Sequence, residues 1–224
     1  MTQRIVRRAH GGRQRWLSAT VAAVLLVAGI TALVLGLSRQ QTAPPSAPAG
    51  HASSPAHSDA PSSGKNGPAS SQPSVMEASA PTRLSIPAIG VNTSLERLGL
   101  DKSRAMETPK NPAKAGWFTP GPTPGAKGPA VIAGHVTWNQ TKSVFFNLAR
   151  LRHGDHIAVQ RNDGSTARFT VTRTEQYAKD HFPSIEVYRN IDYAGLRLIT
   201  CAGTYRDHHY ADNVVVYATL DPAN

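Results

Sequence analysis

The chain has 224 residues, a formal net charge of +10 and one cysteine, Cys201. One thiol excludes a disulfide within the chain, and the length allows one domain of ordinary size with appendages. The charge argues against a nucleic-acid footprint, because it does not form one patch. Residues 1–15 carry five arginines and no acid, residues 16–81 are neutral, and the remaining +5 is spread thinly over 82–224. Blocks of that kind report topology or solubility.

In chain order, residues 1–15 form a basic tail. Trp16–Leu37 has no charged side chain, and as a helix it would be about 30 Å long, enough to cross a hydrocarbon core. Five arginines precede it and only Arg39 follows closely. That asymmetry predicts a cytoplasmic N-terminus with everything after Leu37 outside the plasma membrane. A cleaved signal peptide shares this opening, but the run is long for one and Ser38-Arg39-Gln40 is not an A-x-A site. An uncleaved anchor is therefore expected. Residues 38–81 are mostly Pro, Ala, Ser, Gly and His. Such a segment cannot bury enough apolar surface to offset the entropy of ordering, so it is predicted to be a disordered spacer that lifts the next domain off the lipid.

From Thr82 the texture changes to short apolar runs separated by turn residues, the pattern of strands. Arg83–Ile86 and Val91–Glu96 flank Pro87-Ala88-Ile89-Gly90. Ala130–Gly134 reads as a buried strand. His156–Arg161 and Ala167–Tyr177 flank Asn162-Asp163-Gly164, whose Asp-Gly step signals a hairpin. Gly195–Cys201 and Asn213–Leu220 finish the series. Val144–Leu151 is the short-helix candidate, and Ala178–Tyr193 is a long connection. Many strands, few helices and no βαβ alternation predict an all-β barrel or sandwich over residues 82–224. There are no internal repeats.

Two strand ends carry the chemistry-bearing residues. Along Gly195–Cys201, alternation puts Leu196, Leu198 and Thr200 on one face and Arg197, Ile199 and Cys201 on the other. Ala202-Gly203-Thr204 follows, so Cys201 is expected where a strand releases into a loop, held by the scaffold yet open to a substrate. Ala130–Gly134 likewise stops at His135, and Gly134 would let another backbone approach. A cysteine peptidase needs a thiolate, an imidazole to protonate the leaving amine, and donors for the developing oxyanion. Spacing alone does not establish that arrangement: a lone cysteine is more often a small buried hydrophobe. His208-His209 with Asp207 or Asp212 could chelate a metal, but no second cluster has matching spacing. No calcium loop or phosphate-binding glycine loop is present in the sequence, and no metal or cofactor is expected.

Taken in order, a set of segments over residues 82–220 resembles the sortases, most closely the class E and class F enzymes of actinobacteria, with class F favoured. They are Leu84-Ser85-Ile86-Pro87-Ala88-Ile89-Gly90-Val91, Ala115-Gly116-Trp117-Phe118, Gly121-Pro122 and Pro124-Gly125. They continue with Pro129–Val136, Val144-Phe145-Phe146-Asn147-Leu148, Leu151–Asp155, Phe182-Pro183, Leu198-Ile199-Thr200-Cys201 and Tyr210–Ala218. The tail, anchor and spacer match the family's usual layout.

The resemblance implies a closed eight-stranded sortase-type β-barrel with one or two short helices. It also implies a cysteine transpeptidase that cuts a C-terminal sorting signal (LPxTG-like or LAxTG-like) between Thr and Gly. Cys201 would form a thioester, and His135 would act as general acid and then base. An amine acceptor, such as a peptidoglycan cross-bridge, would resolve the intermediate. Partners would be secreted proteins bearing sorting signals and the plasma membrane, with no nucleic acid. The family's arginine departs from its usual strand, because residues 213–220 contain none. Arg206 is the nearest candidate and Arg197 a weaker one; Asn213, at roughly the arginine's register, and Thr200 are candidates for substrate contact. Two other readings stay open: a non-catalytic anchored β-domain that binds envelope polymers, and a hydrolase whose acyl group passes only to water.

Overall fold

In this computed structural model of the chain, residues 44–47 and 75–222 are described. The basic tail, the expected anchor Trp16–Leu37 and residues 38–43 and 48–74 of the expected spacer lie outside them. Among the described residues, no helix is long and apolar enough to cross a membrane.

Eight strands close a barrel: β1 Pro81–Ile86, β2 Val91–Leu98, β3 Ala115–Phe118, β4 Gly128–Gly134, β7 His156–Arg161, β8 Thr166–Ala178, β9 Ala194–Arg206 and β10 His209–Leu220. A small hairpin, β5 Thr137–Trp138 and β6 Thr141–Lys142, stands apart from it. The order around the barrel is β1-β2-β3-β4-β9-β10-β8-β7. The pairs β2–β3 and β4–β9 are parallel and the others antiparallel.

Side-chain alternation builds the core. Leu84 and Ile86, Ile157 and Val159, Ala167, Phe169 and Val171, Leu196 and Leu198, and Val214 and Val216 point inward and are almost wholly buried. Burial of this apolar face supplies the main driving force of the fold. Strands β4 and β9 are buried on both faces. Outside the barrel, Val131 of β4 and Ile199 of β9 join Val215 and Tyr217 of β10 and Val187 of the β8–β9 connection in a second apolar cluster. The roof over it is the connection from β8 to β9, which contains a five-residue helix, α1, Ser184–Tyr188. Pro183 immediately precedes α1, where a missing N–H costs nothing. This covered patch on the outside of the barrel adjoins the strand ends that carry His135 and Cys201.

Two local expectations change, and one barrel strand was not anticipated. Val144–Leu151 is not an α-helix: it is a chain of turns ending in a 3₁₀ turn at Leu148–Arg150. The N–H groups of Phe146, Leu148, Arg150 and Leu151 each donate to the carbonyl three residues back. Three residues per turn bring Phe145, Leu148 and Leu151 onto one side, and all three enter the barrel core. The spacer also ends earlier than composition predicts. The Met76 N–H donates to the Gly125 carbonyl, the Ser79 N–H to Thr123 Oγ1, and Arg161 to the Glu77 carbonyl, so Val75–Ala80 lie against the barrel. These hydrogen bonds, with Met76 and Ala80 packed against the core, hold the segment there. Finally, Ala115–Phe118 is a barrel strand, too short to show a strand period in the sequence.

Candidate active site

The parallel ladder between β4 and β9 brings the two predicted strand ends together. It pairs Gly128 with Ala194 and runs in step to Ala133 with Ile199. The ladder ends there; carried on two residues in the same step it would set His135 opposite Cys201, about one strand spacing away. Thr200 fastens this junction, because its hydroxyl donates to the Gly134 carbonyl at 2.8 Å. Thr200 is buried with its hydroxyl engaged, so its place is in the frame between the two strands and not on a substrate-facing surface. Gly134 is required for a reason other than the expected backbone approach. A Cβ there would lie 2.5 Å from the Phe145 ring, which fills that space from the barrel interior.

His135 is half-buried. Its Nε2 lies 2.8 Å from the Pro109 carbonyl. A carbonyl only accepts, so the imidazole hydrogen sits on Nε2, and Nδ1 is left to exchange a proton. Trp138 of β5 meets the ring edge-on, with centroids 5.0 Å apart at 61°. The ring is thus oriented from two sides.

Cys201 is half-buried and packs against Val136, Phe146 and Tyr210. It is not the last residue of its strand. β9 continues to Arg206 and pairs with β10 around a two-residue turn. Asp207 and His208 hold that turn at φ 48° and 65°, the left-handed pair that matches hairpin twist. Gly203, at φ +78°, marks the irregular step after Cys201; a Cβ there would meet the Asp212 carboxylate at 2.4 Å. Cys201 therefore stands just before an irregular step in a continuous hairpin, where a loop was expected.

Across the outer face, cross-strand pairing forms rows. Cys201 faces Asn213 on β10, which faces Tyr177 on β8. Ile199, Val215 and Glu175 form the next row, then Arg197, Tyr217 and Arg173. Arg197 is buried, its guanidinium 4.6 Å from the centre of the Tyr217 ring, with Arg173 at 3.8 Å from the same ring. Four residues along the strand from Cys201, it is a packing residue beneath the roof. Tyr177 donates to Glu175, and its oxygen lies 3.2 Å from that of Tyr217. Burial first, then the Glu175 contact, push the Tyr177 phenol far above its ordinary range, so it stays a neutral donor. Arg173 also pairs with Glu186 of α1 at 2.5 Å, which holds the roof down.

Arg206 is displaced from the site. It pairs with His209 at the hairpin tip, four β10 residues from Asn213, or about 13 Å at strand rise. It is exposed, and its side chain cannot span that gap in this arrangement. Asn213, by contrast, lies directly across from Cys201. His208 and His209 sit at the tip, and no group of potential metal ligands occurs among the described residues. Sequence reasoning missed Lys179, whose Nζ lies 3.7 Å from Cys201 Sγ. No sequence signal marks it, because it is 22 residues away along the chain. An open groove of about 610 Å³ adjoins the site, its lining including Val91, Thr93, Ala113, Trp138, Lys142 and Phe146. Trp138 ties it to His135 and Phe146 to Cys201.

A lone thiol beside an oriented imidazole can carry nucleophilic acyl transfer. A family model of the sortase domain matches residues 84–221. Among solved structures, the chain is similar to sortase A from Corynebacterium diphtheriae at 19% identity and TM-score 0.50, covering 66% of this chain and 63% of that one. It is similar to sortase C1 from Streptococcus agalactiae at 18% identity and TM-score 0.50, covering 64% of this chain and 68% of that one. The chain thus spans less than two thirds of the Corynebacterium structure it matches, and at these identities the likeness is one of fold. No curated protein matches the sequence. With the family's domain spanning most of the chain and an eight-stranded barrel of the matching fold, the chain belongs to the sortase family.

Proposed function

We propose that this chain is a membrane-anchored cysteine transpeptidase that cuts a C-terminal sorting signal between Thr and Gly and passes the protein to an amine of the cell envelope. The observation that supports the reading is the in-step parallel pairing of β4 and β9, which runs toward His135 on one strand and the one thiol of the chain on the other. Cys201 gives its thiol proton to His135, and the resulting thiolate attacks the Thr carbonyl carbon. Its electron pair forms the S–C bond while the carbonyl pair moves to oxygen. Collapse of that intermediate breaks the C–N bond, and the leaving amine takes a proton from His135. An incoming amine gives its proton to His135, attacks the thioester and releases the sulfur. The resemblance of the segments around His135 and Cys201 favours a class F type of actinobacterial origin, with a pentapeptide of the LPxTG or LAxTG kind as signal.

The test uses the full chain in detergent with a library of fluorescent sorting-motif peptides, with and without a small amine. The expected result is a thioester adduct on intact mass and an amine-dependent transfer product. Cleavage whose product never includes the amine would leave a hydrolase. No adduct with any peptide would remove the activity.

The same reading puts residues 1–15 in the cytoplasm, residues 16–37 across the membrane, residues 38–81 largely as a spacer and residues 82–224 outside as the catalytic domain. It rests on the uncharged run behind five arginines. Protease added to intact protoplasts is expected to digest the domain. Digestion only after lysis would reverse the orientation.

A further inference from the structure

We propose that Lys179 is the catalytic cation of this site: its ammonium supports the anionic sulfur of Cys201 and then the oxyanion that forms beside it. The proposal rests on the cysteine chemistry above, but it can be decided without any sorting peptide.

The fold aims this lysine. The row Tyr177–Asn213–Cys201 runs across β8, β10 and β9. Lys179 is two residues beyond Tyr177, just past Ala178, the last residue of β8 paired with β10. Two strand spacings, about 10 Å, separate β8 from β9. A four-carbon stem bridges much of that distance over β10, and the Nζ···Sγ separation of 3.7 Å shows that it arrives. A shorter side chain at this position would stop above β10.

Position also makes Lys179 the cation in reach. β10 has neither lysine nor arginine from His209 to Leu220, and the residue opposite Cys201 is the neutral Asn213. Arg206 lies at the hairpin tip, and Arg197 is buried on Tyr217. The titratable and charged groups around the sulfur come from every neighbouring element: His135 from the end of β4, Tyr210 and Asp212 from β10, Lys142 from β6 and Lys179 from the roof. Lys142 is engaged over the Phe146 ring at 4.8 Å. Asp212 accepts from Gln176 at 2.6 Å. Asp180, beside Lys179 in the chain, is turned to His181 at 2.9 Å. Lys179 forms no ion pair with a carboxylate among the described residues, so its charge is directed at the sulfur.

The chemistry needs such a group. When Cys201 acts, negative charge moves from sulfur to the carbonyl oxygen attached to the same carbon, and a nearby cation stabilises both positions. Because Lys179 is exposed, solvent and salt weaken it, and the effect must depend on ionic strength.

The experiment measures the rate at which iodoacetamide alkylates Cys201 in the full chain at neutral pH. The thiolate displaces iodide, and with one cysteine per chain the rate reads this thiol alone. The reagent is uncharged, so it is not steered by the lysine. Lys179→Met is expected to slow alkylation about tenfold, Lys179→Arg to stay within about twofold of the native rate, and Lys179→Glu to fall below Lys179→Met. High salt should slow the native protein and leave Lys179→Met unchanged. With a peptide that turns over, Lys179→Met should lower kcat with little change in KM. A native or faster alkylation rate in Lys179→Met overturns the proposal, because the lysine would then only cover the thiol. So does a Lys179→Glu rate equal to that of Lys179→Met. Absence of any peptide turnover bears on the transpeptidase reading and leaves the alkylation series to decide this one.

Discussion

Cys201→Ala is expected to abolish both the thioester adduct and peptide cleavage, by more than any other single substitution in the domain. The chain has no second thiol, so no neighbour can take over the attack. Serine in its place is also expected to fail, because a hydroxyl is far less ionised than a thiol near neutral pH. Loss of fold is not the cause to expect: Cys201 is half-buried at the margin of a small cluster with Val136, Phe146 and Tyr210. Removal of one sulfur there costs far less than emptying the barrel core. The measurement is intact mass after incubation with a reactive sorting peptide, beside a thermal melt of the same sample. A Cys201→Ala protein that still cleaves the peptide would remove the mechanism, since every step runs through that sulfur.

His135→Ala is expected to leave a folded protein that turns over about 10²–10⁴ times more slowly, the usual contribution of a positioned general acid or base. The variant loses the contact to the Pro109 carbonyl and the edge of Trp138. Neither is part of the barrel core. His135→Gln separates orientation from proton transfer: its amide can still donate to the Pro109 carbonyl, but it does not titrate. It should therefore be as slow as His135→Ala. An activated aryl-ester substrate gives a second check, because its leaving group departs without a proton. Its rate should fall much less than that of the peptide. Equal losses on ester and peptide would assign His135 to thiol activation alone.

The geometry also explains why the imidazole hydrogen matters. The Pro109 carbonyl holds it on Nε2, so in the proposed cycle Nδ1 is the nitrogen left to take up and return the proton. That carbonyl comes from the segment between β2 and β3, a part of the chain with no chemistry-bearing motif of its own. Its contribution depends on backbone position, not on side-chain type.

The sequence by itself determined the fold class, because strand periods of two and the turn residues between them are local signals. Leu196, Leu198, Val214 and Val216 alternate with outward residues in the sequence as they do in the barrel. The sequence also singled out Cys201 and His135, since a lone thiol and a histidine after a buried run are visible one segment at a time. What it could not determine was anything set by pairing between distant segments. Register across β4 and β9 decided that the two strand ends lie at the same end of neighbouring strands. The length of the β9–β10 hairpin carried Arg206 to its tip, about 13 Å along the strand from the sulfur it was expected to serve. The period of three at Phe145, Leu148 and Leu151 became turns entering the barrel, because the core they fill is closed by other strands. Lys179 became visible only in three dimensions. Its position two residues past Tyr177 has meaning only once β8, β10 and β9 lie side by side, and a long side chain then reaches across one strand to a sulfur 22 residues away.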